Sequence, residues 1–185
     1  MMQLPLIRVI PAFAFLASSS LLAAGPEVGA KAPEFSLNNL ARTAVKLSEQ
    51  TARGPVVLIL LRGFPGYQCP LCNRQVNELI QSAQSFADAN ARVLFVYPGP
   101  ATIVHDKAEE FVAGKKLPGH FQILLDADFQ FTNLYGLRWD APKETAYPST
   151  FVLDRSGRIT FAKVSQTHGG RSTPAEILEA LAKLK

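Results

Sequence analysis

PVVLILLRGFPGYQCPLC, running from Pro55 to Cys72, decides the fold. Its first part, Pro55 to Leu61, is an unbroken apolar, β-rich run bounded by Gly54 and Gly63. Such a run suits a strand covered on both faces, as in the middle of a parallel sheet. A glycine-proline loop follows, and then apolar residues fall at Leu71, Val76, Leu79, Ile80, Ala83 and Phe86 with helical spacing. Pro70 stands where that helix begins, a position that does not need its missing N–H. Cys69 and Cys72, the two cysteines of the chain, therefore lie just past the C-terminal edge of a central strand, at a helix N-terminus. Sites form at that edge in open α/β sheets.

Outward from this stretch the pattern alternates. Arg92 to Pro98 (RVLFVYP) reads as a second buried strand, and the segment from Ala101 to Lys116 as a helix ending near Gly114. FQILLD is a short strand and ADFQFTNLYGL a helical turn or two. STFVLDRSGRITFAKV reads as a hairpin, and the last helix has Thr173 as N-cap and Pro174 at its first position. Before the central strand, Phe35 to Leu47 reads as two extended segments around a turn at Asn38–Asn39. The sum is an α/β domain: a central mixed β-sheet flanked by helices on both faces.

At the N-terminus, Arg8 precedes the apolar run VIPAFAFLASSSLLAAG, which ends in small residues. Residues 1–24 are expected to be a secretory signal peptide, leaving residues 25–185 as a single domain of about 160 residues. The run is short of the roughly 20 apolar residues a membrane span needs, so no stable membrane insertion is expected after processing. Export places the chain in the periplasm or outside the cell, where a cysteine pair persists as a disulfide. Of the 185 residues 48% are hydrophobic, ample for a core, and the net charge of +4 is spread without a dense Lys/Arg run, which argues against nucleic acid as a partner.

A thiol pair of this spacing has three uses. A staple closing so small a loop removes little unfolded-state entropy. A metal site needs two more ligands, and His105, His120 and His168 show no ligand spacing to one another, so no metal and no cofactor is expected. A redox pair fits: unpaired N–H groups and the helix dipole favour a thiolate, the reactive form of cysteine, and either sulfur can reach the other to form a Cys69–Cys72 disulfide. Asp126 and Asp128 read as loop and capping residues.

Beyond these local readings, APEFSLNNLARTAVKLSEQ, PVVLILLRGFPGYQCPLC, RVLFVYPG, LLDADFQFTNLYGL and YPSTFVLDRSGRI, in this order and spacing, resemble the alkyl hydroperoxide reductase / thiol-specific antioxidant family, the peroxiredoxins. The resemblance spans nearly all of the chain after the leader and implies a thioredoxin-like fold. It implies an antioxidant oxidoreductase that reduces hydroperoxides. In the family's motif Pro65 matches the proline and Cys72 the peroxidatic cysteine, while Cys69 falls where a threonine hydroxyl orients peroxide. The family's arginine before the late strand is missing from AYPSTF, and Arg62 and Arg138 are the nearest substitutes. Tyr147-Pro148 matches the cis-proline of thioredoxin-like disulfide oxidoreductases, and Tyr67 and Phe64 stand where a pocket wall would be.

Two mechanisms follow from the resemblance. As a peroxidase, Cys72 attacks a hydroperoxide and Cys69 resolves the sulfenic acid. As a disulfide oxidoreductase, Cys69, taken as the more exposed sulfur, attacks a protein disulfide and Cys72 releases the mixed disulfide, with Pro148 shaping the docking site. Either cycle needs an external thiol or dithiol reductant. A non-catalytic binding module is the remaining alternative.

Overall fold

The computed structural model describes residues 25–184, so the expected leader lies outside the described residues. Seven strands form one sheet: β1 (Ser36–Asn39), β2 (Ala44–Lys46), β3 (Val56–Leu60), β4 (Arg92–Gly99), β5 (Phe121–Ala127), β6 (Ser149–Leu153) and β7 (Ile159–Val164). Their order is β2-β1-β5-β4-β3-β6-β7. β3, β4 and β5 run parallel, while β6 joins β3, β7 joins β6, β1 joins β5 and β2 joins β1 antiparallel. The sheet is mixed, as expected.

Period-two alternation along the central strands sorts the core into two layers. Val57, Ile59 and Leu61, with Val93, Phe95 and Tyr97, face α2 (Pro70–Gln81), α3 (Ala83–Asp88), α4 (Val104–Val112) and α6 (Pro174–Ala182). Val56, Leu58 and Leu60, with Leu94 and Val96, face the opposite layer, which includes Leu47 of α1 (Leu47–Thr51) and Phe131 of α5 (Gln130–Leu134). There Phe131 stacks on Tyr135 at 4.1 Å between ring centroids and meets Phe35 edge-on at 5.1 Å. β3 is buried along its whole length, which explains why its sequence shows no polar alternation.

Several local readings change. Leu47 opens a helix instead of ending a strand, because it is buried as that helix's anchor. The turn expected at Asn38–Asn39 falls later, with Asn39 still in β1, Arg42 at φ 59° and Thr43 N–H donating to Asn39 Oδ1. The helical run after Cys69 is two helices that break at Ser82, and Phe86 then enters the core edge-on to Phe121. The last helix starts as expected, and Thr173 and Glu176 complete a capping box.

The expectation of a cis peptide before Pro148 is overturned: the described residues contain no cis bond. Pro148 sits in trans immediately before β6, where its carbonyl accepts from Ser165 N–H while Tyr147 N–H donates to the Leu137 carbonyl. A proline at the first residue of a strand loses no ladder bond, so trans satisfies the backbone.

Candidate active site

β3 delivers the chain to the site. Leu61 N–H donates to the Val96 carbonyl, and the next N–H, that of Arg62, donates to Cys72 Sγ at 3.3 Å. Gly63 then turns at φ +67°, and any Cβ there would collide with the Pro98 carbonyl oxygen. Pro65 and the exposed Tyr67 lie on the loop that follows. Gln68 pins that loop, accepting from Tyr97 Oη at 2.9 Å and donating to the Lys107 carbonyl at 2.9 Å. Phe64 lies under the Lys107 ammonium.

Cys69 is the N-cap of α2, with Pro70 at the first helical position as the sequence indicated. Its Sγ accepts the Cys72 N–H at 3.4 Å, the bond that serine or aspartate oxygens make at helix starts. Both cysteines are free thiols. Neither is exposed: Cys69 is 2% and Cys72 1% accessible, and both belong to the core layer beneath α2. Cys69 is the more exposed of the two, as expected, but only by a narrow margin, and neither sulfur is open.

The two sulfurs ionise very differently. Cys69 is drawn down to about 5, chiefly because the Cys72 side chain donates to it, aided by the Cys72 N–H and the Arg171 and Arg62 charges, against the cost of burial. Cys72 is pushed well up, first by burial and then by its role as donor to Cys69. Both shifts favour the proton on Cys72 and the negative charge on Cys69, whereas the resemblance placed the nucleophile at Cys72.

Arg171 is the residue the sequence reading missed. Its Nη2 lies 3.7 Å from Cys69 Sγ, its Nη1 donates to Gln75 Oε1 at 3.1 Å, and its Nε donates to the His168 carbonyl at 3.2 Å. The available signal was an arginine directly before the Ser-Thr-Pro start of the last helix, in a glycine pair's shadow at Gly169–Gly170. The two arginines singled out from sequence are spent elsewhere. Arg62, 3% exposed, gives Nε to Glu144 Oε2 at 2.8 Å, Nη1 to Tyr67 Oη at 2.8 Å and Nη2 to the Lys143 carbonyl at 2.9 Å. Arg138 binds the carbonyls of Trp139, Glu144 and Thr145 and covers the Phe129 ring. Arg62 is thus beside the thiols through its backbone, and Arg138 braces the loop that carries Glu144.

Glu144 joins Arg62 to His168, whose Nε2 lies 2.8 Å from Oε1. Burial opposes its ionised form, but the bonds from Arg62 and His168 hold its carboxyl below the usual range. Trp139 stacks on Tyr147 at 4.6 Å and faces His168 at 5.1 Å. Asp126 lies in β5 rather than in a loop, and from there accepts from Phe131 N–H and Thr132 N–H at the start of α5. Asp128 likewise takes the Ala101 N–H. His105, Asp106 and Glu109 come together on one face of α4, but His105 also contacts the Leu40 carbonyl and both carboxylates are exposed. No further observation there points to an ion.

The geometry offers dithiol chemistry: two sulfurs one helical turn apart at a helix N-terminus, with the Arg171 guanidinium 3.7 Å from one of them. The chain is 27% identical over 139 residues to peroxiredoxin Bcp of Bacillus subtilis, covering 72% of this chain and 82% of that protein. Peroxidoxin BcpB of Mycobacterium tuberculosis superposes with a TM-score of 0.72 at 20% identity, covering 85% of this chain and 97% of that one. A chain named as a thiol:disulfide interchange protein, DsbE, from Chlorobium tepidum matches with a TM-score of 0.61 at 26% identity, over 84% of this chain and 98% of that one. The model of the AhpC/TSA family matches residues 28–162, a span that holds the central strand, both thiols, β6 and the first part of β7. The chain belongs to the AhpC/TSA family and is a thiol-dependent oxidoreductase of thioredoxin-like fold.

Proposed function

We propose that this enzyme reduces hydroperoxides by cycling Cys69 and Cys72 between dithiol and disulfide, with Cys69 as the attacking sulfur. The observation that carries the reading is Cys69 Sγ at the N-cap of α2, accepting the Cys72 N–H at 3.4 Å with Arg171 Nη2 3.7 Å away. The Cys69 thiolate attacks the O–O bond; an S–O bond forms, the O–O bond breaks, and Cys72 gives its proton to the departing alkoxide. Cys69 is then a sulfenic acid and Cys72 a thiolate. Cys72 attacks Cys69, the disulfide forms and hydroxide leaves, so one hydroperoxide becomes one alcohol and one hydroxide. An external thiol or dithiol reopens the disulfide by exchange.

A second reading, reduction of protein disulfides through Cys69, is favoured by the 26% identity to the interchange protein from Chlorobium tepidum. Burial weighs against it, since a sulfur with 2% exposure admits a small oxidant more readily than a folded partner. Stopped-flow oxidation of the reduced protein by hydrogen peroxide, set beside reduction of insulin by the same protein, separates the two. We expect peroxide to oxidise the pair far faster than it oxidises free cysteine. Peroxide oxidation no faster than that of free cysteine, with rapid insulin reduction, overturns the peroxidase reading.

We also propose that the enzyme works in the periplasm or outside the cell, supported by the charged, apolar and small-residue succession of residues 1–24. Fractionation of cells carrying a C-terminally tagged chain is expected to place a shortened protein outside the cytoplasm. Full-length protein retained in the cytoplasm overturns this.

A further inference from the structure

Cys69 serves as the N-cap of α2 only while its own backbone stays extended, at φ −64° and ψ 114°. The segment that delivers it has little stiffness of its own. Gly63 and Gly66 both turn at positive φ, and Gly66 and Tyr67 are exposed. A surface loop of this kind takes its order from its ties to the body of the fold.

Two of those ties come from Gln68, the residue directly before Cys69. Its Oε1 accepts from Tyr97 Oη at 2.9 Å, and its Nε2 donates to the Lys107 carbonyl at 2.9 Å. A carbonyl only accepts, so the amide nitrogen faces Lys107, and the amide oxygen is left for a donor at Tyr97. One side chain thus joins the α2 N-cap to β4 on one side and to α4 on the other. Tyr97 is a firm support. It is 1% exposed, lies in the same core layer as both cysteines, and its ring packs against Phe111 of α4 at 5.4 Å. Burial also raises its pKa, which keeps the hydroxyl proton in place to donate. Lys107 adds a further hold on the loop, its ammonium standing over the Phe64 ring at 4.5 Å.

We propose that Gln68 is a positioning residue of this site: held by Tyr97 and Lys107, it fixes where the Cys69 sulfur stands, and so the line along which that sulfur meets a hydroperoxide. This rests on the reading of Cys69 as the nucleophile. Attack on an O–O bond needs the sulfur in line with the departing oxygen, and a misplacement of about 1 Å costs up to about 100-fold in rate. Iodoacetamide, which the site is not built to hold, approaches from whichever direction is open. It therefore reads the thiolate without reading its placement.

The test uses the full chain carrying Cys72→Ser, in which Cys69 is the one thiol. Two rate constants are measured at a pH above the thiolate midpoint: oxidation by hydrogen peroxide, followed with a dimedone-type trap, and alkylation by iodoacetamide. Into this chain Tyr97→Phe deletes only the donor hydroxyl, and Gln68→Leu removes both amide bonds at similar volume. Each is expected to slow oxidation by about tenfold while changing alkylation by less than about twofold. The double variant should match Gln68→Leu alone, because both substitutions act through one contact. The thermal midpoint of each variant controls for folding. Oxidation at the Cys72→Ser rate in either added variant, effects that multiply in the double variant, or an equal fall in both reactions overturns the proposal. A Cys72→Ser chain that peroxide oxidises no faster than free cysteine instead overturns the assignment of Cys69 as nucleophile.

Discussion

Cys69→Ser is expected to reduce peroxide consumption at pH 7 to no more than a few per cent of the parent rate, because an ordinary thiol is only a few per cent thiolate there. Cys72 left alone is worse placed than an ordinary thiol, since burial holds its proton on. Cys72→Ser should behave differently. Its hydroxyl can still donate to the Cys69 anion, so the first oxidation persists and a dimedone-type probe traps one sulfenic acid per chain, but the intramolecular disulfide cannot form. Steady-state turnover then depends on the external thiol attacking Cys69 directly. Cys72→Ala removes the largest influence lowering Cys69 and should move its alkylation midpoint upward. Trapping at Cys72 in Cys69→Ser, as fast as in the parent, would reverse the roles and restore the order the family motif implies.

The second large effect concerns stability. Arg62 is almost wholly buried and its Nε is paired with Glu144. Removing one partner of a buried pair strands the other, at a cost of about 3 kcal/mol. For a domain of this size that corresponds to a fall of about 6–12 °C in Tm for Glu144→Ala. The pH dependence has a definite sign. The Glu144 carboxyl lies below its ordinary value of 4.5 when folded, so its stabilisation is fully present above that pH and fades as pH drops through the folded value. The gap in Tm between parent and Glu144→Ala should therefore shrink below about pH 4.5. Differential scanning calorimetry across pH 3–8 measures it. A variant within 1 °C of the parent at neutral pH would mean that Arg62 is adequately held by Tyr67 and Lys143 alone.

How far the sequence discloses the molecule depends on how local the information is. The strand from Val56 to Leu60, the cysteine N-cap and the capped final helix are all written in adjacent residues: an apolar run, a proline at the first helical position, a Thr-Pro start. The site's second ring is not. Arg171 touches a sulfur 102 positions away, and Glu144 meets Arg62 across 82. No periodicity or spacing encodes those meetings; they exist because β6 and β7 bring their flanking loops back over the end of β3. The misread proline has the same origin, since its carbonyl is met by Ser165 at β7's exit and the N–H of the preceding Tyr147 by Leu137. Motif analogy favoured cis at Pro148, and tertiary hydrogen bonding satisfied trans.

The proximity of the second sulfur also bears on the enzyme's durability. In the proposed cycle the resolving thiol lies one helical turn from the attacking one, with the Cys72 N–H already donating to Cys69 Sγ, so no distant thiol has to be carried into place. On that proposal a newly formed sulfenic acid is expected to be intercepted before another oxidant molecule converts it to the sulfinic form. Such an arrangement suits a catalyst that must survive a surge of oxidant intact, and it makes resupply of reducing equivalents, rather than self-inactivation, the limit on its working life.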